Sequence, residues 1–310
     1  MHCIDNGNFK KNYLMESIES YIEILNEIKS DNPNAVFWYR GQKEQSWALE
    51  PQLFRYSRRI TEQGKLETRK CLKSSYNAIY PNVFSELKDF KRNLRKQKIP
   101  NNKIPKNDFD LMCLGQHYKL ITPLLDFSTD PLVALFFAIK DLELNNAQYN
   151  IDFYFSEFKN ENDYIDNSAA VYVLLPNILN KYSDFKNLSN PIKITDQNYD
   201  MFKGFVTGEN IPLNPICLLA PKNYYRIIRQ SGNFICYGYN MNPIDKYPNK
   251  KEYLYKILIP YCFVNKLQSV LELLNINNET ILKDNLDYST NAEAAAYAAL
   301  SKFYAEINSL

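Results

Sequence analysis

The stretch Phe37-Trp38-Tyr39-Arg40-Gly41-Gln42 gives the first indication of how this chain folds. The apolar run from Ala35 to Tyr39 predicts a short, wholly buried strand that ends at an arginine and a glycine. Arg40 is always charged and carries five donors in a fixed fork, which suits it to hold an anion or a carboxylate. Gly41 permits either a sharp turn or the close approach of another group to the backbone. Taken alone, the motif favours an internal salt bridge at Arg40.

Composition excludes several classes of protein. The chain has 310 residues, of which 45% are hydrophobic and 23% charged, as in a folded protein of one large or two small domains. The net charge of +2 is too balanced to indicate nucleic-acid binding by the whole chain. The chain has 8 glycines and neither a GxGxxG nor a GxxxxGK[ST] pattern, which disfavours Rossmann and P-loop chemistry.

No apolar run is long enough to cross a bilayer, and no signal sequence precedes residue 18. We therefore expect a cytoplasmic protein without a membrane partner.

The cysteines and histidines argue against a metal centre. Six cysteines are scattered along the chain without a CxxC pair, mostly among apolar residues. This placement predicts free buried thiols. Of the two histidines, one is His2, so no Cys/His zinc site and no other metal site is expected.

The hydrophobic pattern predicts helices first and strands later, which indicates an α+β fold. Helices are predicted over residues 18–28, 60–98, 108–118, 132–144, 264–274 and 291–307. Strands are predicted over residues 151–158, 169–176, 225–237 and 253–260, with Ser231-Gly232-Asn233 as a bulge or hairpin turn. Helix 132–144 is the most apolar, so we expect a mixed or antiparallel sheet with this helix buried at its centre and the other helices around it.

A second polar cluster, Gln116-His117-Tyr118, is followed by Thr122 and Asp126. His117 suits general acid–base chemistry or a ligand contact, although a histidine at a helix end is more often a structural cap. Asp126 stands between apolar neighbours, where a carboxylate needs a partner to offset its desolvation. Arg40 is a candidate for that partner.

A third cluster comprises Arg226, Arg229, Gln230 and Gly232. Alternation along the predicted strand places Arg226 and Gln230 on one face and Arg229 on the other. One of the two arginines would then face the site defined by Arg40 and His117. No nucleophile elbow, paired histidine or Ser/His/Asp triad accompanies these residues, so the pattern identifies no reaction.

The predicted helix over 60–98 has a basic face, formed by Lys88, Lys91, Arg92, Arg95, Lys96 and Lys98. A solvated helix face is the usual meaning of such a pattern, and a nucleic-acid surface over 88–98 is the alternative.

Together, these clusters resemble the FRG domain family, which is named for a Phe/Tyr-Arg-Gly motif. Tyr39-Arg40-Gly41-Gln42 is similar to that motif, and residues in family-like positions follow it, namely Trp47, Leu49, Pro51, Phe54 and Arg55. The central family signature is similar to residues 116–119 and 124–138, and the late signature to residues 226–234. The resemblance covers about residues 36–266. It implies a domain over 35–266 with the helical region 60–98 inserted, an N-terminal helical segment over 1–34, and C-terminal helices over 267–310 packed on the same domain.

The chain departs from the family pattern at two places. Lys119 stands where Gly is usual, and Ile121-Thr122-Pro123 stands where Pro-Thr-Arg is usual. The missing arginine at position 123 removes one expected cation from any anion site.

The resemblance implies a bacterial or phage protein. The fold also shows a weaker likeness to that of ADP-ribosyltransferases, in which an arginine on an early strand binds the phosphates of NAD. By this analogy we expect a cleft for NAD or another nucleotide, ADP-ribosyl transfer, and a role in phage defence or as a toxin. The candidate catalytic residues are His117 with Glu44, Glu157 or Glu209 as the carboxylate. The candidate ligand-binding residues are Tyr39, Arg40, Gln116, Tyr118, Thr122, Asp126, Arg226, Arg229 and Gln230.

The alternative is a sensing or interaction module that is not an enzyme. In that case Arg40 and Asp126 form a buried ion pair, and His117 and Gln230 satisfy backbone groups. A protein or a nucleic acid would then be the partner. The two hypotheses differ in whether Arg40, His117 and Gln230 lie in an open cleft or in a closed interior.

Overall fold

The computed structural model describes residues 2–3, 9–56, 58–60, 66–68, 72–142, 168–185, 187–240, 242–283 and 289–308. Within these residues, nine strands form one mixed sheet in the order β1-β2-β11-β7-β3-β6-β10-β9-β8. Its strands are β1 (His2–Cys3), β2 (Asn12–Leu14), β3 (Trp38–Gln42), β6 (Leu124–Ser128), β7 (Ser168–Leu174), β8 (Ile192–Lys193), β9 (Ile216–Leu219), β10 (Gly232–Cys236) and β11 (Leu254–Pro260). A separate antiparallel pair consists of β4 (Arg58–Ile60) and β5 (Leu66–Thr68).

Most neighbouring strands in the large sheet are antiparallel, while β2 pairs in parallel with β11 and β8 with β9. The neighbouring strands β7 and β11 are buried at every position, which explains their largely apolar sequences, interrupted in β11 by Lys256. The predicted α+β class with a mixed sheet is confirmed.

The described helices surround this sheet. They are α1 (Ile18–Asp31), α2 (Gln52–Tyr56), α3 (Leu72–Lys96), α4 (Asp108–His117), α5 (Pro131–Ile139), α6 (Pro176–Asn180), α7 (Tyr199–Phe202), α8 (Gly204–Thr207), α9 (Tyr225–Arg229), α10 (Val264–Leu273), α11 (Asn278–Ile281) and α12 (Ser289–Asn308). Helix α5 is the most apolar of them, and six of its nine residues are buried. Its start is fixed by Asp130, whose side chain accepts hydrogen bonds from the amides of Leu132 and Val133 ahead of Pro131 at the first turn.

The predicted helices over 18–28, 108–118, 264–274 and 291–307 are confirmed within a few residues of their ends. The helix predicted over 132–144 is shorter, because Asp141 adopts a left-handed conformation with φ 56° just after it. The helix predicted over 60–98 is wrong in its first part, where β4 and β5 precede α3. The strand predicted over 151–158 lies outside the described residues.

The largest correction concerns residues 225–237. They are not one strand, because Tyr225–Arg229 form the short helix α9 and only Gly232–Cys236 form a strand. Ser231, with φ 47°, lies between the helix and the strand, and Gly232 and Asn233 pair regularly with β6, so these residues form neither a bulge nor a hairpin turn. The alternation of faces expected for Arg226, Arg229 and Gln230 therefore does not apply.

Residues 180–214, for which the hydrophobic pattern predicts neither a helix nor a strand, hold short elements. These are the two-residue strand β8 and the four-residue helices α7 and α8. Cys113, Cys217, Cys236 and Cys262 are buried free thiols, as predicted. Burial raises the pKa of each of them, so these thiols stay protonated and unreactive at neutral pH.

Candidate functional site

The site begins where the sheet splits between β3 and β6. Strand β3 pairs with β7 along its whole length, from Trp38 to Gln42, and β6 pairs with β10 along its whole length. Between β3 and β6, however, the register holds one pair, Tyr39 with Ser128. The two strands therefore diverge beyond Tyr39, and backbone groups along their facing edges are left for other partners.

Arg40 bridges this split. Its guanidinium donates a hydrogen bond of 2.8 Å to the backbone carbonyl of Asp126 on the opposite strand. The same guanidinium nitrogen lies 3.9 Å from a carboxylate oxygen of Asp126. The Arg40 side chain is 18% exposed and that of Asp126 is 58% exposed, so this long ion pair is accessible to solvent. It is not the buried ion pair that the alternative hypothesis expected.

Strand β3 does not end at Arg40, contrary to the prediction. It continues through Gly41 to Gln42 and pairs Arg40 with Tyr172 of β7. Of the two roles considered for Gly41, close approach is the one observed. A Cβ atom at Gly41 would lie 2.0 Å from the carbonyl oxygen of Ala134 in α5. The glycine thus lets the backbone of α5 rest directly on the strand that carries Arg40.

The second cluster holds Asp126 in place. Gln116, at the end of α4, donates a hydrogen bond of 2.9 Å to the Asp126 carboxylate. The Thr122 hydroxyl donates to the side-chain oxygen of Gln116 and accepts from the amide of Leu124. This chain fixes which end of the Gln116 amide faces Asp126. Thr122 and Tyr118 are buried and act behind the site, whereas Gln116 and His117 are half-buried at its wall.

The third cluster divides between two tasks. Arg229 donates hydrogen bonds of 2.9 and 2.8 Å to the carbonyls of Glu279 and Thr280 at the end of α11, and its guanidinium stacks on Tyr225. Gln230 reaches the carbonyl of Ile281 in the same helix at 3.3 Å. Arg229 therefore caps the carbonyl end of α11, a position that favours a cation, and does not face the split.

Arg226 and Gln230 line an open cleft together with the first two clusters. The cleft has a volume of about 390 Å³ and is bounded by β3, β6, α4, α5, α9 and β10. Of the residues predicted for the site, the structure brings together Tyr39, Arg40, Gln116, His117, Asp126, Arg226 and Gln230. It does not bring Tyr118, Thr122 or Arg229 to the wall of the cleft.

Several residues of the cleft carry charge or aromatic surface and were not among the candidate site residues. The cations are Lys43 and Lys140, which both pair with Asp141, at 3.3 and 2.6 Å. The aromatic groups are Phe137 and Trp47, and Trp47 is 47% exposed. Lys140 and Asp141 were missed because the sequence placed them inside a helix that ends at Ile139.

With Arg40 and Arg226, the described residues of the cleft wall include four Lys or Arg side chains against two carboxylates, those of Asp126 and Asp141. The cleft is therefore suited to an anionic ligand. Burial raises the pKa of the Tyr39 phenol to about 12, so this residue faces the cleft as a neutral hydrogen-bonding group.

Comparison with known families agrees with this arrangement. Residues 35–147 match the model of the FRG domain family. The chain contains an FRG domain. Neither a curated protein nor a solved structure matches the chain, so the likeness to ADP-ribosyltransferases is not confirmed. The match includes the Arg40 and Asp126 motifs, while the late motif at 226–234 lies beyond it.

The carboxylates proposed for catalysis do not meet in the cleft of the FRG domain. Glu44 is half-buried in the loop after β3, and Glu209 is exposed after α8, and neither lines the cleft. Glu157 lies outside the described residues. Among the described residues, the carboxylates that line the cleft are those of Asp126 and Asp141.

Among the described residues, no group of three or more His, Cys, Asp or Glu side chains could hold a metal ion. No helix in the described part of the chain combines the length and apolar character needed to cross a membrane.

The departure of this FRG domain at Lys119 has a backbone consequence. Lys119 follows α4 and adopts φ 67°, the left-handed region in which glycine is favoured. We expect Lys119→Gly to stabilise the protein by about 0.5–1 kcal/mol, because the relief of strain exceeds the entropy that glycine adds to the unfolded chain. Urea unfolding of the variant measures this gain. Lys251→Gly, at an exposed position without positive φ, is the control and should give no gain.

Proposed function

We propose that the cleft of the FRG domain binds a nucleotide, with its phosphates at Arg40 and its base near Trp47. The observation that carries this proposal is the convergence of Arg40, His117 and Gln230 on one open cleft. A structural polar core would bury these groups in a closed interior, because solvent access weakens ion pairs and hydrogen bonds between them.

Charge supports the phosphate end of this proposal. Arg40 uses one nitrogen on the Asp126 carbonyl at 2.8 Å and approaches the Asp126 carboxylate only at 3.9 Å. Arg226, across the cleft, makes no ion pair with any described residue. A phosphate between the two arginines would replace the long, solvent-exposed ion pair of Arg40 and Asp126 by charge-assisted hydrogen bonds. A guanidinium group can donate two such bonds to one phosphate.

Aromatic surface supports the base end. Trp47 is 47% exposed, whereas the other tryptophan, Trp38, is fully buried. An exposed indole at the mouth of a cationic cleft offers a face on which a nucleobase stacks, worth about 1–3 kcal/mol per base. Tyr39 and Phe137 extend the same aromatic wall.

The finer form of the proposal is turnover of NAD by ADP-ribosyl transfer. Cleavage of the bond to nicotinamide develops positive charge on the ribose, which a nearby carboxylate stabilises. Asp126 is the candidate, since Gln116 orients it and it is open to the cleft. His117 at the same wall is the candidate proton donor or acceptor. Such turnover would account for a role in phage defence or as a toxin.

Tryptophan fluorescence tests nucleotide binding directly. We expect NAD, ADP or ATP to quench the emission of Trp47 in a saturable titration, because stacking of a base changes the environment of an exposed indole. Trp47→Phe retains only the buried Trp38 and should lose the quenching. Absence of saturable quenching, together with absence of heat on calorimetric titration with the same nucleotides, would contradict the proposal.

Release of nicotinamide from NAD tests the finer form separately. If the protein binds NAD but releases no nicotinamide, the cleft would serve as a nucleotide sensor that signals to a partner protein and forms no product. If the Asp126→Asn variant still releases nicotinamide, a group other than Asp126 must stabilise the charge on the ribose. Release that is lost in Asp126→Asn, with nucleotide quenching retained, is the result we expect.

A further inference from the structure

The chain carries a second cationic surface, whose residues are separate from those that line the cleft. Residues 88–106 contain eight Lys or Arg and a single acidic residue, Asp89, so this stretch carries +7. The remaining 291 residues carry −5, although the net charge of the chain is only +2. Such an asymmetry within a nearly neutral protein indicates an electrostatic surface for an anionic partner.

The fold makes this stretch concave. The end of α3 supplies Lys91 and Arg95, and the chain then folds back through a 3₁₀ turn at Asn101–Lys103. Lys106 thereby returns beside the helix, and a basic groove with a volume of about 380 Å³ lies between them. The groove is defined by Lys91, Arg95, Asn101, Ile104, Pro105 and Lys106.

Two acidic residues beside this surface, Asp89 and Asp108, already form ion pairs. Asp89 is nearly buried and pairs with Arg92 at 2.6 Å and with Lys302 of α12 at 2.9 Å. Asp108, at the start of α4, pairs with Lys91 at 3.2 Å. In the described part of the chain, the other six cations of the stretch form no ion pair: Lys88, Arg95, Lys96, Lys98, Lys103 and Lys106. These side chains are exposed, so their charge faces solvent.

We propose that this groove and the adjoining exposed face of α3 bind the phosphate backbone of a double-stranded nucleic acid. The apolar residues of the stretch, Phe90, Leu94, Ile99 and Ile104, are all buried. Insertion into a membrane would need exposed apolar groups, and a protein interface would need an apolar or aromatic centre. A single strand would need exposed aromatic side chains for base stacking. Backbone contacts by Lys and Arg need none of these.

Such binding would be independent of base sequence and would depend strongly on salt. Each neutralised phosphate contributes roughly −0.9 to the slope of log affinity against log salt concentration. Loss of three contacts should therefore lower the magnitude of that slope by about two to three.

The test uses the full chain and a labelled DNA duplex of about 20 base pairs, followed by fluorescence anisotropy at several salt concentrations. Lys91→Gln/Arg95→Gln/Lys106→Gln should weaken binding by at least about tenfold and flatten the salt dependence. Lys203→Gln/Lys251→Gln/Lys283→Gln changes the net charge equally at exposed sites elsewhere and should change affinity by less than about threefold. Arg40→Gln should leave duplex binding unchanged, which separates this surface from the cleft.

Three results would overturn the proposal. The first is no duplex binding by the wild-type chain at low salt. The second is an equal loss in both triple variants, which would show a response to net charge alone. The third is tighter binding of a single strand, of polyglutamate or of anionic phosphatidylserine vesicles than of the duplex.

Discussion

Gly41→Ala is expected to destabilise the protein by at least about 3 kcal/mol, which is a large part of the stability of a typical domain. The added Cβ would lie 2.0 Å from the carbonyl oxygen of Ala134 and 2.5 Å from the amide nitrogen of Ala138. Both are backbone atoms of α5, so no side-chain rotation relieves the contact. Either α5 lifts from the sheet or β3 shifts, and both changes disturb the cleft that lies between these elements.

Chemical denaturation of the purified variant measures this effect, with the yield of folded protein as a second readout. Gly232→Ala is a matched control on β10, because its Cβ would meet nothing closer than 3.5 Å. We expect the control to change the free energy of unfolding by less than about 0.5–1 kcal/mol. A Gly41→Ala protein as stable as the control would show that α5 does not rest on β3 as closely as described.

The second large effect concerns the buried carboxyl group of Glu86 on α3. Glu86 is 4% exposed, and neither of its carboxylate oxygens has a hydrogen-bond partner among the described residues. It lies in a small apolar space with Leu87, Met112, Leu120 and Ile121, near Thr122. Desolvation raises the pKa of Glu86 from 4.5 to about 8, although the nearby Ile121 backbone moderates the shift.

The sign of the pH dependence follows from this shift. The folded protein holds the proton of Glu86 up to about pH 8, whereas the unfolded chain releases it near pH 4.5, so this group makes stability fall as pH rises between these values. We expect Glu86→Gln to be more stable than wild type by about 2 kcal/mol or more at pH 8, and to differ little from it near pH 4.5.

Urea unfolding at several pH values measures the difference between the two proteins. Glu209→Gln removes an exposed carboxyl group and should leave the pH profile of wild type in place. A constant difference between Glu86→Gln and wild type across this pH range would mean that Glu86 is not a buried neutral acid.

Much of the fold was predictable because local pattern and burial agree. The capping group Asp130 and the apolar run after Pro131 indicate α5, and the largely apolar sequences of β7 and β11 indicate buried strands. Residues 225–229 misled the prediction because Tyr, Arg and Ile suit a strand in isolation. They form a helix instead, after which Arg229 and Gln230 bind carbonyl groups of α11, a contact 51 residues away that no local pattern contains.

The candidate site was predictable in its residues but not in its geometry. The sequence pattern assigned Arg40, His117, Asp126 and Gln230 to three polar motifs that could share one site. The structure places all four at one cleft. The split between β3 and β6 could not be foreseen, because β6 itself was not predicted and pairing is a property of both strands. For the same reason, the expected buried pair of Arg40 and Asp126 is instead a long contact across an opening.

The central claim is that Arg40 holds the phosphate of a nucleotide, and one comparison tests it most directly. The affinities of ADP and of adenosine are measured by calorimetry for wild type, Arg40→Gln and the exposed control Arg92→Gln. We predict that Arg40→Gln weakens ADP binding by at least about tenfold and leaves adenosine binding within about threefold, since only ADP loses a charge-assisted contact. Equal losses for ADP and adenosine, or no loss for either, would contradict the claim.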